Sequence, residues 1–181
     1  YNILLDPNET NSYLVACAKE GRAAVVLTTS PIPEMKAVKN ETEIQGFHNA
    51  MKRDGVAMVK FLKWLIPAVK AGHETEISLD KKLTYLRSQQ PLFRDSSFDT
   101  IVGYEHHGAI VHYEATPETD IAIEPHGFVL IDSGAQYQDS TTDITRTIAL
   151  GPLTEEQKRI YTIVLKGHIQ LELARFPDGV S

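Results

Sequence analysis

Asp132 and Asp143 stand eleven positions apart. One closes the run Phe128-Val129-Leu130-Ile131-Asp132, and the other opens Asp143-Ile144-Thr145-Arg146-Thr147-Ile148. Both runs are β-rich, and two such runs this close most simply form a hairpin. With the turn centred between Tyr137 and Gln138, Asp132 falls directly opposite Asp143. Directly opposed side chains share a face with Cβ atoms about 4.5–5.5 Å apart, where like charges destabilise the pair. Either one carboxyl is protonated, as in a paired-carboxylate acid/base site, or a cation sits between them. Oxygen donors suit Mn²⁺, Mg²⁺ or Ca²⁺, and bridging carboxylates are a common start for a two-metal hydrolytic site with ions about 3.5–4 Å apart. The other reading is a solvated or frayed hairpin in which the two carboxylates never meet, since a bulge would change the register.

The remaining reactive residues carry less. His112 lies in Ala109-Ile110-Val111-His112-Tyr113, which reads as a strand, so it is either a hydrogen-bonded core group or a functional one. His106-His107-Gly108 reads as a surface loop, because histidines that ligate from one face need other spacings. Cys17 has no His or cation near it in sequence to activate a thiolate and reads as a buried thiol in a reducing compartment. Arg146 belongs to a salt bridge or to a site, and the sequence does not choose.

These residues must be positioned by a scaffold that the sequence also describes. From Asn40, with Glu43 at the capping-box position, the spacing predicts a helix whose apolar stripe is Ile44, Phe47, Met51, Met58, Phe61, Leu62 and Leu65, ending at Pro67. A second helix is expected after Ser78 with Leu79, Leu83 and Leu86 inward. A third follows Thr154, with Gln157 completing its cap and Ile160, Ile163, Val164, Ile169, Leu171 and Leu173 as its apolar set. Between them the period changes to two, predicting strands at 100–103, 109–113, 128–132 and 143–148. Helices at both ends with consecutive strands between them indicate an α+β fold with an antiparallel sheet.

Composition narrows the function. The 181 residues hold 18 Lys and Arg against 24 Asp and Glu, a net charge of −6, which argues against nucleic-acid binding because phosphate neutralisation needs clustered cations. No uncharged apolar run approaches the roughly 20 residues of a membrane span. The opening Tyr1-Asn2-Ile3-Leu4-Leu5-Asp6 has no initiator Met and no signal-peptide pattern, so the chain is expected to be a fragment.

Leu130-Ile131-Asp132-Ser133-Gly134-Ala135-Gln136-Tyr137 followed by Thr141-Thr142-Asp143-Ile144-Thr145-Arg146-Thr147 resembles the metal-binding hairpin of Xaa-Pro aminopeptidases (aminopeptidase P). These are peptidases of family M24, in the creatinase/prolidase/methionine aminopeptidase superfamily with the pita-bread fold. The resemblance covers almost the whole chain. Ser30-Pro31-Ile32-Pro33 with Lys36-Ala37-Val38-Lys39-Asn40 is similar to the family's junction between a creatinase-like amino-terminal domain and the catalytic domain. Gly108-Ala109-Ile110-Val111-His112-Tyr113 resembles its strand with a substrate-site histidine, and Leu165-Lys166-Gly167-His168 its helix after the hairpin.

The resemblance implies that residues 1–35 are the tail of the upstream domain and its linker, and residues 36–181 the first half of a pita-bread catalytic domain. It implies two divalent ions, Mn²⁺ foremost with Zn²⁺ or Co²⁺ as alternatives, with Asp132 on one ion and Asp143 bridging both. A bridging hydroxide would attack the bond between an N-terminal residue and a following proline, and His112 would hydrogen-bond the substrate as a catalytic group. Peptides with proline second are the implied substrates, the cytoplasm the implied location and a homodimer the implied assembly. The sequence departs from the family at Ser140, where Gly is common, and no segment matches the remaining ligands, one His and two Glu. The chain by itself is therefore expected to be inactive and to hold few or no metal ions. A metal-free pita-bread module that binds peptides or proteins, and a prolidase-type dipeptidase, are the alternatives.

Overall fold

The computed structural model describes residues 1–177, 179 and 180. They pack as two units, Tyr1–Ile44 and Gln45–Ser181.

The first unit contains β1 (Asn2–Leu5), α1 (Ser12–Glu20), β2 (Ala24–Leu27) and α2 (Ile32–Ala37). β1 and β2 pair in parallel, with Asn2 beside Ala24. The side chain of Asn11 caps α1 by accepting from the Tyr13 N–H at 2.7 Å. Among the described residues of this unit no apolar side chain is buried; Asp6 is the buried residue. Its carboxylate accepts from the Ser30 N–H at 2.7 Å and the Asn8 N–H at 2.9 Å, joining the loop after β1 to the loop after β2. The bond from Ser30, then that from Asn8, holds the Asp6 carboxyl below the usual carboxylate range. One sequence expectation changes here. Cys17 is exposed on α1 rather than buried, because that helix buries none of its residues. Within the segment expected to be a linker, Pro31 stands before α2 and Pro33 lies in its first turn, where its missing N–H is not needed.

Helix α3 (Glu41–Ala71) opens on the expected capping box, Asn40 accepting from the Glu43 N–H at 2.9 Å and Glu43 from the Asn40 N–H at 2.8 Å. It does not stop at Pro67 but continues to Ala71, since Leu65 and Val69 on either side are buried and hold the turn against the lost hydrogen bond. In its second half Met58, Phe61 and Leu65 face the core as expected. In its first half the buried residues are Gly46, Ala50 and Asp54, while Ile44, Phe47 and Met51 are exposed. The small residues face inward there because another backbone comes close: a Cβ on Gly46 would overlap the carbonyl oxygen of Asp139. Helix α4 (Glu76–Ser88) starts two residues before Ser78, capped by Thr75, and buries Leu79 and Leu83.

The strands are β3 (Phe93–Ser96), β4 (Ile101–Tyr104), β5 (Phe128–Ser133), β6 (Ala135–Tyr137) and β7 (Ile144–Ala149). β4, β5 and β7 form an antiparallel sheet in that order, and β3 pairs antiparallel with β6. The main core packs Phe61, Leu65, Leu79 and Leu83 of the two helices with Val102, Val129 and Ile131 of the sheet. A smaller one joins Ala50, Ala135 and Tyr137. Helix α5 (Glu155–Glu172) has the expected box, Thr154 accepting from the Gln157 N–H at 3.1 Å, yet buries none of its residues. This is the α+β fold with an antiparallel sheet that the element order implies.

Candidate metal centre

The hairpin that carries Asp132 and Asp143 is present, but its turn is centred one residue later than the sequence suggests. The Tyr137 N–H donates to the Ser140 carbonyl at 2.8 Å, Gln136 bridges to Thr141, and Asp132 pairs with Thr145. Moving a turn centre by one residue moves every partner by two, so Asp132 lies diagonal to Asp143 instead of opposite. Because side chains alternate with a period of two, both carboxylates still share a face. Burial follows the same alternation: Ile131, Ser133, Thr142 and Ile144 are buried, while Asp132 is half-buried and Asp143 exposed. Diagonal neighbours lie about 7–8 Å apart, which relieves the direct repulsion and leaves a gap the width of a cation and its ligands. Asp132 accepts a hydrogen bond from the Thr145 hydroxyl at 2.8 Å.

The donor set suits hard divalent ions in kind, since carboxylate oxygens are the ligands such ions prefer. It falls short in number. Among the described residues no group of three or more His, Cys, Asp and Glu side chains converges, whereas Mn²⁺ or Mg²⁺ takes about six donors. Asp132 and Asp143 can therefore supply part of a coordination sphere.

His112 is not on a strand. A 3₁₀ helix, Glu105–Ala109, precedes it, and the residue sits exposed in a turn with φ 54°, in the left-handed region. The segment that holds the turn is anchored inside on both sides, by Tyr113 directly after it and by His107 in the preceding 3₁₀ helix. Tyr113 is buried and donates its hydroxyl to Glu76 at 2.8 Å, and the Nδ1 atom of His107 lies 3.0 Å from each Glu76 oxygen. Glu76 is itself 0% exposed and also accepts from the Tyr104 N–H at 2.8 Å. Burial first, and then contacts including Glu76, raise the Tyr113 hydroxyl above the ordinary tyrosine value. The surface reading of His107 is thus overturned. An acid in the first turn of a helix is favoured by the helix dipole and ordinarily solvated, so nothing in the sequence marks Glu76 as buried.

A second buried carboxylate lies under the hairpin. Asp54 of α3 pairs with Arg87 of α4 and accepts from the Tyr137 and Thr142 hydroxyls, both at 3.0 Å. Burial, reinforced by the Asp54 charge, raises the Tyr137 hydroxyl well above its ordinary value and keeps it a donor. Arg53 forms an ion pair with Asp139 in the hairpin turn. Sequence reading missed Asp54 and Arg87 because charged residues on a helix read as its solvated face.

Residues 45–181 match the model of the family described as "Metallopeptidase family M24". A protein of Arthroderma benhamiae named probable Xaa-Pro aminopeptidase P is 42% identical over 172 residues, 94% of this chain and 25% of its own length. The X-prolyl aminopeptidase of Caenorhabditis elegans, described as a cytosolic enzyme with a di-nuclear active site, superposes with a TM-score of 0.78 at 34% identity, over 93% of this chain and 31% of that one. The Xaa-Pro dipeptidase of Bacillus anthracis gives 0.79 at 26% identity, over 93% of this chain and 45% of that one. The chain thus spans about a quarter of the length of the curated relative it matches.

Proposed function

The chain belongs to metallopeptidase family M24, and from that premise we propose that it is part of a metal-dependent aminopeptidase releasing the N-terminal residue from peptides with proline in the second position. The observation that carries this reading is the placement of Asp132 and Asp143 on one face of a hairpin inside the M24 segment. The 42% identity to a probable Xaa-Pro aminopeptidase P supports the specificity for proline. In this reading Asp132 and Asp143 would hold the divalent ions, Asp143 shared between two of them, with Mn²⁺ foremost. When bound, the ions supply Lewis-acid polarisation of the scissile carbonyl and a water of lowered pKa. The Thr145 hydroxyl orients Asp132 by occupying one of its oxygens, and His112 gives a hydrogen bond to the substrate.

Residues 1–35 are the end of a creatinase-like domain and 36–181 the first half of a pita-bread catalytic domain in the same reading. The working protein is a cytoplasmic homodimer, a location supported by the likeness to the Caenorhabditis elegans protein described as a cytosolic enzyme. With two carboxylates for about six coordination positions, the 181-residue chain alone does not turn over substrate.

The test is metal analysis and peptide hydrolysis on the full-length polypeptide. The expected result is up to two Mn²⁺ per chain, with cleavage of Xaa-Pro-Xaa tripeptides reduced at least about 100-fold by Asp143→Ala or Asp132→Ala. A protein that stays metal-free after Mn²⁺ loading sinks the enzyme reading in favour of a binding module. Cleavage confined to Xaa-Pro dipeptides assigns it to the dipeptidases, which the likeness to the Bacillus anthracis structure supports.

A further inference from the structure

The two carboxylates face one side of the hairpin, and the residues beside them, Ser133 and Thr142, are buried on the other. A single ion pair touches both. Arg87, 1% exposed, grips Asp54, 0% exposed, in a fork: Nε donates to Oδ1 at 2.8 Å and Nη2 to Oδ2 at 3.0 Å. The same Nη2 reaches the carbonyl of Ser133, the residue after Asp132, at 3.4 Å. Asp54 Oδ2 accepts from the hydroxyl of Thr142, the residue before Asp143, at 3.0 Å. That hydroxyl in turn accepts from the Ala135 N–H at 3.0 Å, which links the two strands between the carboxylates. Gly134 closes the remaining space, since a Cβ there would overlap the Thr142 carbonyl oxygen and the Ser97 hydroxyl.

A buried ion pair is not a strong source of stability, because stripping water from two charges offsets most of their attraction. What a buried network with both its charges paired does supply is a fixed geometry, here with the Ser133 carbonyl held and its hydroxyl without a partner among the described residues. Here the fixed atoms include those of the immediate neighbours of Asp132 and Asp143, together with the Tyr137 hydroxyl, which donates to Asp54 Oδ1 at 3.0 Å. We propose that Asp54, Arg87 and Thr142 are positioning residues that set the separation of Asp132 and Asp143, and with it the affinity for two divalent cations. The proposal rests on the metal-centre reading above and names how α3 and α4 control it. Mn²⁺ never touches these three side chains; they act through the backbone of the hairpin.

The test titrates Mn²⁺ calorimetrically into metal-free full-length protein and follows spin coupling between the ions by electron paramagnetic resonance. Thr142→Val removes the hydroxyl at nearly constant volume and is expected to weaken binding about 10–100-fold and abolish the coupled signal. Thr142→Ser, which restores the hydroxyl, is expected to stay within about threefold of the unaltered protein. Val69→Ala, a core truncation far along α3, is expected to lower the melting temperature without moving the Mn²⁺ affinity. Where Thr142→Val does not fold, Thr142→Ala is read in its place. Unchanged affinity in the variant lacking the hydroxyl, or an equal loss in Thr142→Ser or Val69→Ala, overturns the positioning role. An unaltered protein that binds no Mn²⁺ overturns the metal-centre reading instead.

Discussion

Arg87 and Asp54 are held in the core by each other, so removing one leaves the other charged, buried and unpaired. Arg87→Ala is expected to lower stability by about 3–5 kcal/mol in urea unfolding, and a loss below about 1 kcal/mol would show the pair to be solvated. A surface ion pair, such as Lys158 with Glu155 on α5, has no such leverage, because water screens it in both states. Asp132 and Asp143 behave differently again. Their residue types and spacing raise the expectation of a cation or a shared proton from the sequence, while Glu76, Asp54 and Arg87 look like ordinary helix-surface charges until partners distant in the chain close over them. The difference is one of range: a motif lists its donors in one segment, whereas a buried ion pair joins residues 33 positions apart.

Among the elements, the loops flanking β1 and β2 are tied together by one carboxylate. Asp6 has a folded-state pKa held below its unfolded value near 3.8, chiefly by the Ser30 N–H. A depressed carboxylate contributes stability that is complete above the unfolded value and is lost as pH falls through the folded one. The first unit is therefore expected to loosen as pH drops below about 4, seen as faster amide exchange at Ser30 and Asn8, and Asp6→Ala should erase that dependence. Exchange at these amides that ignores both acid and substitution would remove Asp6 from this role. The helices show how far local signals reach. The boxes Asn40/Glu43 and Thr154/Gln157 mark helix starts correctly because capping is settled within four residues. The buried face of the first half of α3 was not legible, since Gly46 and Ala50 face inward to admit the hairpin backbone and carry no apolar signal.

For the molecule as a whole, the apolar set of α5 is the feature that no other part of the chain covers among the described residues. Ile160, Ile163, Val164, Leu165 and Ile169 are exposed, and with Phe128 and Thr147 several of them line a groove beside β7. The 181-residue chain alone is expected to self-associate and to bind a hydrophobic dye, with Val164→Glu raising the monomer fraction in sedimentation. A dye-silent monomer at high micromolar concentration would show that this face does not drive association. Sequence alone determined the α+β class, the caps of α3 and α5, the hairpin, and the family to which its carboxylate motif points. It also determined that Asp132 and Asp143 share a face, because strand alternation preserves parity however the turn is placed. Only the tertiary structure decided that they lie diagonally, since Tyr137-Gln138-Asp139-Ser140 contains no Asn-Gly or Gly-Gly step to pin the turn, and the packing of Gly46 and Arg53 against Asp139 pins it instead. It also took His112 off its expected strand and buried Glu76, Asp54 and Arg87, for burial of a charge is decided by the partner that meets it, and the partner is brought by the fold.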